Sequence, residues 1–281
     1  MRISASTQIE AGEGSVAGKS SSSQTLLRGL DVIEAVSDGV IGLADLATRL
    51  GLTRSTTHRL AAALVERQYL NFMPREGYVL GPKLLELGFK AQQQKDLPRV
   101  ARPYLEALAA VTEDTLHLGV LDKGRALYLD KIPGRRRIEI SSRVGERQPL
   151  RSTGLGKALL LDQTETHWAE MFDGEEVNSR SAVDRETWLN RMREYARAGY
   201  AFDLEENEDR IRCVAAPIRD VAGRIVGAIS LSSAAQYMDD RRMASLPHQV
   251  RETANAISRE LGWREDAAPD SAPQPKNSNR P

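Results

Sequence analysis

The sequence predicts an α+β protein built from two domains. Three observations carry this. Between Gln24 and Ala62, apolar residues recur at helical spacing, and two short β-rich runs around a polar turn follow them. From Arg102 onward, helical and strand-like segments alternate, with Gly-containing turns between strands that read as hairpins. At 281 residues the chain is long enough for two ordinary domains.

Composition narrows the function classes. Lys and Arg number 39, as do Asp and Glu, so the formal net charge is zero. That speaks mildly against a nucleic-acid binder, and the placement of the basic residues decides. No apolar run approaches the roughly 20 residues that cross a bilayer. The first residues lack the basic-then-apolar pattern of a secretory signal. The single cysteine, Cys213, excludes an internal disulfide and suits a reducing cytoplasm. Four scattered histidines show no metal-ligand spacing. A cytoplasmic protein with no membrane partner, no metal and no cofactor is expected.

Residues 1–22 are rich in Ser, Gly and Ala, and residues 265–281 in Pro and Ser; both read as disordered. A helical stripe through Leu26, Leu27, Leu30, Val32, Ile33 and Val36 ends at Asp38-Gly39. Leu43 to Ala62 then reads as two short helices around a tight turn. Ala47 lies where they cross, Gly51 stops the first, and the Thr53 hydroxyl caps the second. Thr57, Leu60, Ala61 and Leu64 share an inward face, which turns Ser55, Arg59 and Ala62 outward. Tyr69-Leu70 and Tyr78 to Leu80 flank the turn MPREG as a hairpin. Three helices and a hairpin, over residues 23–81, are the order of a winged helix-turn-helix. Its expected DNA contacts are Arg54, Ser55, Thr56, His58 and Arg59 on the second helix of the motif, and Arg75 in the wing. An arginine fork can bind guanine O6 and N7 together. Lys83 is a weaker contact candidate, and His58 reads as a polar flank rather than a pH switch. The competing reading, a surface helix pair with solvated charges, loses ground to the hairpin at the right distance.

Residues 82–97 are expected to form a linker helix that packs on the first domain and helps dimerise it. The second domain, 98–264, opens with a helix from Arg102. Strands TLHLGVLD and RALYLDKI meet at Lys123-Gly124, RIEISSRVG reads as another strand, and IRCVAAPIRD and RIVGAISLSS meet at Ala222-Gly223. Helices open at GLGKALLLD, run through ETWLNRMREYARAG to Gly199, and close the domain at HQVRETANAISRELGW. Paired strands flanked by helices suggest an antiparallel sheet. PLRSTGLGKALLL reads as an anion site: Gly154 and Gly156 would let the backbone approach a ligand, and a helix N-terminus favours negative charge. It is not a Walker loop, because Ala158 follows Lys157.

LLRGLDVIEAV, LADLATRLGLTRSTTHRL, GYVLGPKLLELG, HLGVLD, SRVGERQPLRSTGLGKALL and YAFDLEENEDRIRCVAAPIRD together resemble the IclR family of bacterial transcriptional regulators, over about Thr25 to Trp263. The resemblance implies a winged helix-turn-helix followed by a GAF-like α/β effector domain. It also implies dimers or dimers of dimers on palindromic operators, with small carboxylates as effectors. The matching pocket positions are Thr153, Gly154, Leu155, Asp203, Ile211, Cys213, Ser230 and Ser232. Several segments look most similar to regulators of sugar-acid catabolism, such as those responding to 2-keto-3-deoxygluconate. Two positions depart from the pattern. Leu155 is larger than in some relatives, and Arg210 stands where Gly is usual, either reaching a carboxylate or a neighbouring subunit or lying solvated.

Two other readings compete. One is an enzyme with Cys213 as nucleophile, helped by His117 or Asp203, though no general base stands beside Cys213 in sequence. The other is a DNA-binding scaffold whose second domain only dimerises.

Overall fold

The computed structural model describes residues 21–175 and 183–265. The expected N-terminal arm and C-terminal tail lie outside the described residues, apart from Ser21 and Ser22, which already open the first helix, and Glu265. The chain divides into two compact units, with the boundary between Gln94 and Lys95.

The first unit runs α1 (Ser21–Ser37), α2 (Leu43–Arg49), α3 (Arg54–Glu66), β1 (Leu70–Met73), β2 (Gly77–Leu80) and α4 (Pro82–Gln93). Its core gathers Val32 and Val36 of α1, Leu46 of α2, Leu60 and Ala61 of α3, and Leu70 and Tyr78 of the hairpin. The apolar stripe of α1 is only half used. Leu26, Leu27 and Leu30 are exposed, because the three-helix core is reached only from Val32 onward. On α4, Leu85 and Phe89 are likewise exposed. The helix stops at Gln93, short of the expected 97, and α5 restarts at Leu97 with Asp96 in its N-cap position. Pro98 sits in the first turn of α5, where its missing N–H has no partner to lose. The helix therefore begins five residues before Arg102.

In the second unit, α5 (Leu97–Thr112) leads into β3 (Thr115–Asp122), β4 (Arg125–Ile132) and β5 (Arg147–Gln148). After α6 (Gly154–Leu159), α7 (Glu165–Gly174) and α8 (Arg185–Ala198) come β6 (Ala201–Leu204), β7 (Ile211–Arg219), β8 (Ile225–Ala234) and α9 (Asp240–Glu260). The six strands form one antiparallel sheet in the order β5-β4-β3-β8-β7-β6. The period-2 alternation of side chains sorts the two faces. Val214, Ala216 and Ile218 of β7, with Ile229 and Leu231 of β8, pack under α5 and α9. Cys213 and Ala215 of β7, with Ala228 of β8, turn to the other face, beneath α6 and the helices that follow it. Both faces are covered, which accounts for the nearly continuous apolar run of β7.

One expected strand is absent. RIEISSRVG is irregular, and only Arg147 and Gln148 beyond it pair with β4. The segment is held instead from the sheet side. The Lys131 ammonium donates to the carbonyls of Ile140 and Ser142, both at 2.7 Å. Its alternation of Ile and polar residues resembles a strand, but Ile140 is buried while Ile138 is exposed without a pairing partner. Two elements were not expected: α7, and the four-residue β6, which is too short to show a period.

Candidate functional site

The first site is the turn between α2 and α3. Gly51 adopts φ +63°, the left-handed conformation expected of it, and the amide of Leu52 donates to the carbonyl of Ala47 at 2.9 Å. Thr53 caps α3: its hydroxyl oxygen accepts the Thr56 amide at 3.2 Å. The same Thr53 hydroxyl donates to the Thr56 hydroxyl at 2.9 Å and lies 3.1 Å from the Ser55 hydroxyl. Thr57, Leu60 and Ala61 are buried, as their spacing requires.

That burial leaves Arg54, Ser55, His58 and Arg59 exposed on adjacent turns. Thr56 is half-buried. Arg54 and Arg59 form no ion pair among the described residues, so both guanidinium groups are available. The wing is stitched to the helices through Tyr78, whose amide donates to the Ile41 carbonyl at 2.9 Å. A Cβ at Gly77 would lie 2.4 Å from that same oxygen, so only glycine permits the approach. Arg75 is exposed at the hairpin tip with φ +75°. Lys83 is committed to Glu86, at 2.7 Å.

The second site is a cavity of about 290 Å³ against the α6 face of the sheet. All eight expected pocket positions line it: Thr153, Gly154, Leu155, Asp203, Ile211, Cys213, Ser230 and Ser232. They come from α6 and its cap, β6, β7 and β8. Strand register brings them together. Asp203 pairs with Cys213 and Cys213 with Ser232, while Ala215 pairs with Ser230 and Ser230 with His117. Two cross-strand rows therefore carry a carboxyl, a thiol, two hydroxyls and an imidazole on one face.

Thr153 caps α6 by accepting the Gly156 amide at 3.0 Å. The amides of Gly154 and Leu155 have no acceptor among the described residues. Both glycines are also required by packing. A Cβ on Gly154 would lie 2.8 Å from Cys213 Sγ and 3.2 Å from the Asp203 nitrogen, and one on Gly156 would lie 2.5 Å from Leu150 Cα. Both contacts are with the protein itself, so packing alone already demands glycine at these two positions, while Gly154 still lines the cavity.

The lining is polar, with the carboxyls of Asp203, Glu146 and Glu208 and neither lysine nor arginine among the described residues. Asp203 Oδ1 accepts the amides of Glu206 at 2.8 Å and Asn207 at 3.4 Å. Burial pushes the Asp203 carboxyl up to about 7, against the pull of Lys157 and these amides. Burial likewise pushes the Cys213 thiol up to about 12, with Asp203 adding to the shift. A thiol so held is no nucleophile. Behind the wall, Glu206 takes Lys157 on one oxygen at 2.7 Å and Arg191 on the other at 3.0 Å. Lys157 is almost wholly buried and also donates to the Phe202 carbonyl at 2.9 Å.

Several lining residues escaped the sequence reading, Tyr128, Ser142, Glu146, Gln148 and Asn207 among them, and His117 was singled out only as a helper of Cys213 in the enzyme reading. His117 stacks on Tyr128 with ring centroids 4.7 Å apart, and its Nε2 lies 2.7 Å from the Ser142 hydroxyl. Burial, with Lys131 adding to it, lowers the imidazole to about 3 and keeps it neutral. The usable signal was the alternation in TLHLGVLD, which sets His117 on the face opposite Leu116 and Leu118. Arg210 does not line the cavity. It is exposed with φ +63°, the left-handed region in which a glycine would carry no strain.

The family model for the IclR helix-turn-helix domain matches residues 25–73, and that for the bacterial transcriptional regulator IclR C-terminal domain matches residues 89–259. The chain is 31% identical over 246 residues to the HTH-type transcriptional regulator XynR of Escherichia coli (strain K12), covering 85% of this chain and 98% of that protein. It is 29% identical over 247 residues to the HTH-type transcriptional regulator KdgR of the same organism, covering 85% and 93%. Among solved structures, the repressor BlcR of Agobacterium tumefaciens shares the fold with a TM-score of 0.73 at 24% identity, covering 85% of this chain and 97% of that one. These relatives are named as regulators, so the enzyme reading of Cys213 falls on the comparisons as well as on the chemistry. The chain belongs to the IclR family of bacterial transcriptional regulators, with a DNA-binding head followed by an effector-binding domain.

Proposed function

We propose that this protein represses a catabolic operon from the cytoplasm, holding a palindromic operator until a small carboxylate metabolite, such as a sugar acid, fills the cavity. Residues 23–81 would be the head, 82–97 the linker and 98–264 the effector domain. Arg54, Ser55, Thr56, His58, Arg59 and Arg75 contact the operator, with Arg59 reading a base edge. Thr153, Gly154, Leu155, Asp203, Ile211, Cys213, Ser230 and Ser232 hold the effector. The observation that carries this reading is the convergence of those eight residues, from separate segments, on one cavity. The chain pairs as a dimer or dimer of dimers, a reading supported by the exposed leucines of α1 and the exposed Leu85 and Phe89 of α4. Relatives add support: several are named as repressors, among them the acetate operon repressor of Salmonella typhimurium.

The test is operator release. A labelled operator selected from random DNA is bound to the protein and titrated with 2-keto-3-deoxygluconate, gluconate and glyoxylate, followed by anisotropy. The wild type releases its DNA with at least one acid, and Asp203→Ala keeps the DNA but ignores the acid. DNA retained under every acid, or undiminished release by the variant, overturns the reading.

A further inference from the structure

The charges of the cavity do not match an anionic guest. Among the described residues that line it are three carboxylates, Asp203, Glu146 and Glu208, and neither a lysine nor an arginine. His117, from β3, is the remaining basic group and stays neutral. Lys157 acts on Asp203 from α6, but its ammonium is already shared between Glu206 and the Phe202 carbonyl. The wall behind the cavity balances with nothing to spare: Lys157 and Arg191 offset Glu206 and an ionised Asp203. A guest carboxylate adds one uncompensated negative charge.

The cavity encloses that charge together with Asp203: Gly154 and Leu155, whose amides have no acceptor among the described residues, line the same space of about 290 Å³ as Asp203. Asp203 Oδ1 is engaged by two backbone amides, which leaves Oδ2 as the oxygen free to carry a proton. Two carboxylates enclosed in one small cavity whose lining offers no cation do not both stay ionised.

Resting on the acid reading above, we propose that the cavity takes its anionic guest together with one proton from solvent, shared between Asp203 and the guest carboxylate. The guest is a hydroxy or keto acid with a single charge; a phosphorylated acid or a dicarboxylate brings a second charge that the lining has no group to meet. The empty site is already poised for this, because burial holds Asp203 near neutrality. The other groups facing Asp203 do not compete for the proton. Tyr128 from β4 and Tyr195 from α8 are raised by burial, and Cys213 from β7 is pushed up to about 12. Glu206 is tied to its two cations, while Glu208 is exposed and Glu146 half-buried at the edge.

The test is calorimetry on the full chain from pH 5.5 to 8.5, in two buffers of different ionisation enthalpy. The anionic probes are D-gluconate, glyoxylate and 2-keto-3-deoxygluconate, and D-glucosamine is the cationic probe. An acid should bind with constant affinity below about pH 6 and about tenfold more weakly for each pH unit above 7, taking up about one proton per guest at pH 8. Asp203→Asn, which keeps Oδ1 for the amides, should flatten the profile; the wild-type proton count tests the idea even if that variant does not fold. Equal affinity at pH 5.5 and 8.5 with no proton uptake keeps the acid reading and overturns the proton. Tighter binding of D-glucosamine as pH rises, without binding of acids, overturns both. So does a failure of every acid to bind at pH 5.5.

Discussion

Gly154→Ala tests whether this cavity is built by close packing of α6 on the sheet. The added methyl carbon would sit 2.8 Å from Cys213 Sγ and 3.2 Å from the Asp203 nitrogen. The first distance is about 1 Å inside the ~3.5–4.0 Å optimum for such contacts. Neither neighbour gives way easily. The thiol is buried between its strand partners Asp203 and Ser232, and the nitrogen belongs to the β6 backbone. Overpacking of this kind costs about 1–3 kcal/mol. Melting should drop by about 2–4 °C for each kcal/mol in a domain of this size. Adding Cys213→Ala removes the sulfur, so the double variant should recover at least about 1 kcal/mol relative to the sum of the single changes. Urea unfolding of the four proteins measures this coupling. If Gly154→Ala is neutral, or if the two effects simply add, α6 does not pack on β7 as described.

Two further predictions concern buried charge. His117 is neutral in the fold at about 3 but takes a proton near 6.5 when unfolded, so its contribution is present above pH 6.5 and lost on acidification. Stability should fall by about 1.4 kcal/mol per pH unit between about pH 6 and 3 on its account, and His117→Gln should lose that part of the slope; identical acid limbs would contradict it. Lys157→Met strands the buried Glu206 carboxylate with Arg191 alone and should cost about 3–5 kcal/mol in urea unfolding, with Lys157→Met/Glu206→Gln recovering much of it. A single variant no less stable than the double would mean that the pair carries no such burden.

The reading head was legible because its signals are local. Gly51, Thr53 and the Thr57–Leu60–Ala61 face each act within one or two helical turns, and the hairpin follows at once. The cavity was legible only through its motifs. Asp203, Cys213 and Ser232 are neighbours because of strand register, which no local pattern encodes. Ser142, and its contact with His117, were missed for the same reason: the two residues meet across a sequence separation of 25. The RIEISSRVG segment misled because its alternation reflects one buried isoleucine over the cavity, with Lys131 rather than a neighbouring strand holding its carbonyls. Gly154 and Gly156 were read as letting the backbone approach a ligand; what no local pattern shows is that Cys213 and Leu150 also leave no room for a side chain there.

The central claim, that α3 reads DNA, is tested most directly by operator affinity measured against salt for wild type and Arg59→Ala. Wild-type binding should weaken steeply as salt rises, because phosphate contacts release counterions. Arg59→Ala should lose about 1–3 kcal/mol of discrimination between the selected operator and a scrambled one. A flat salt dependence, or a variant that keeps both affinity and sequence preference, would contradict the account.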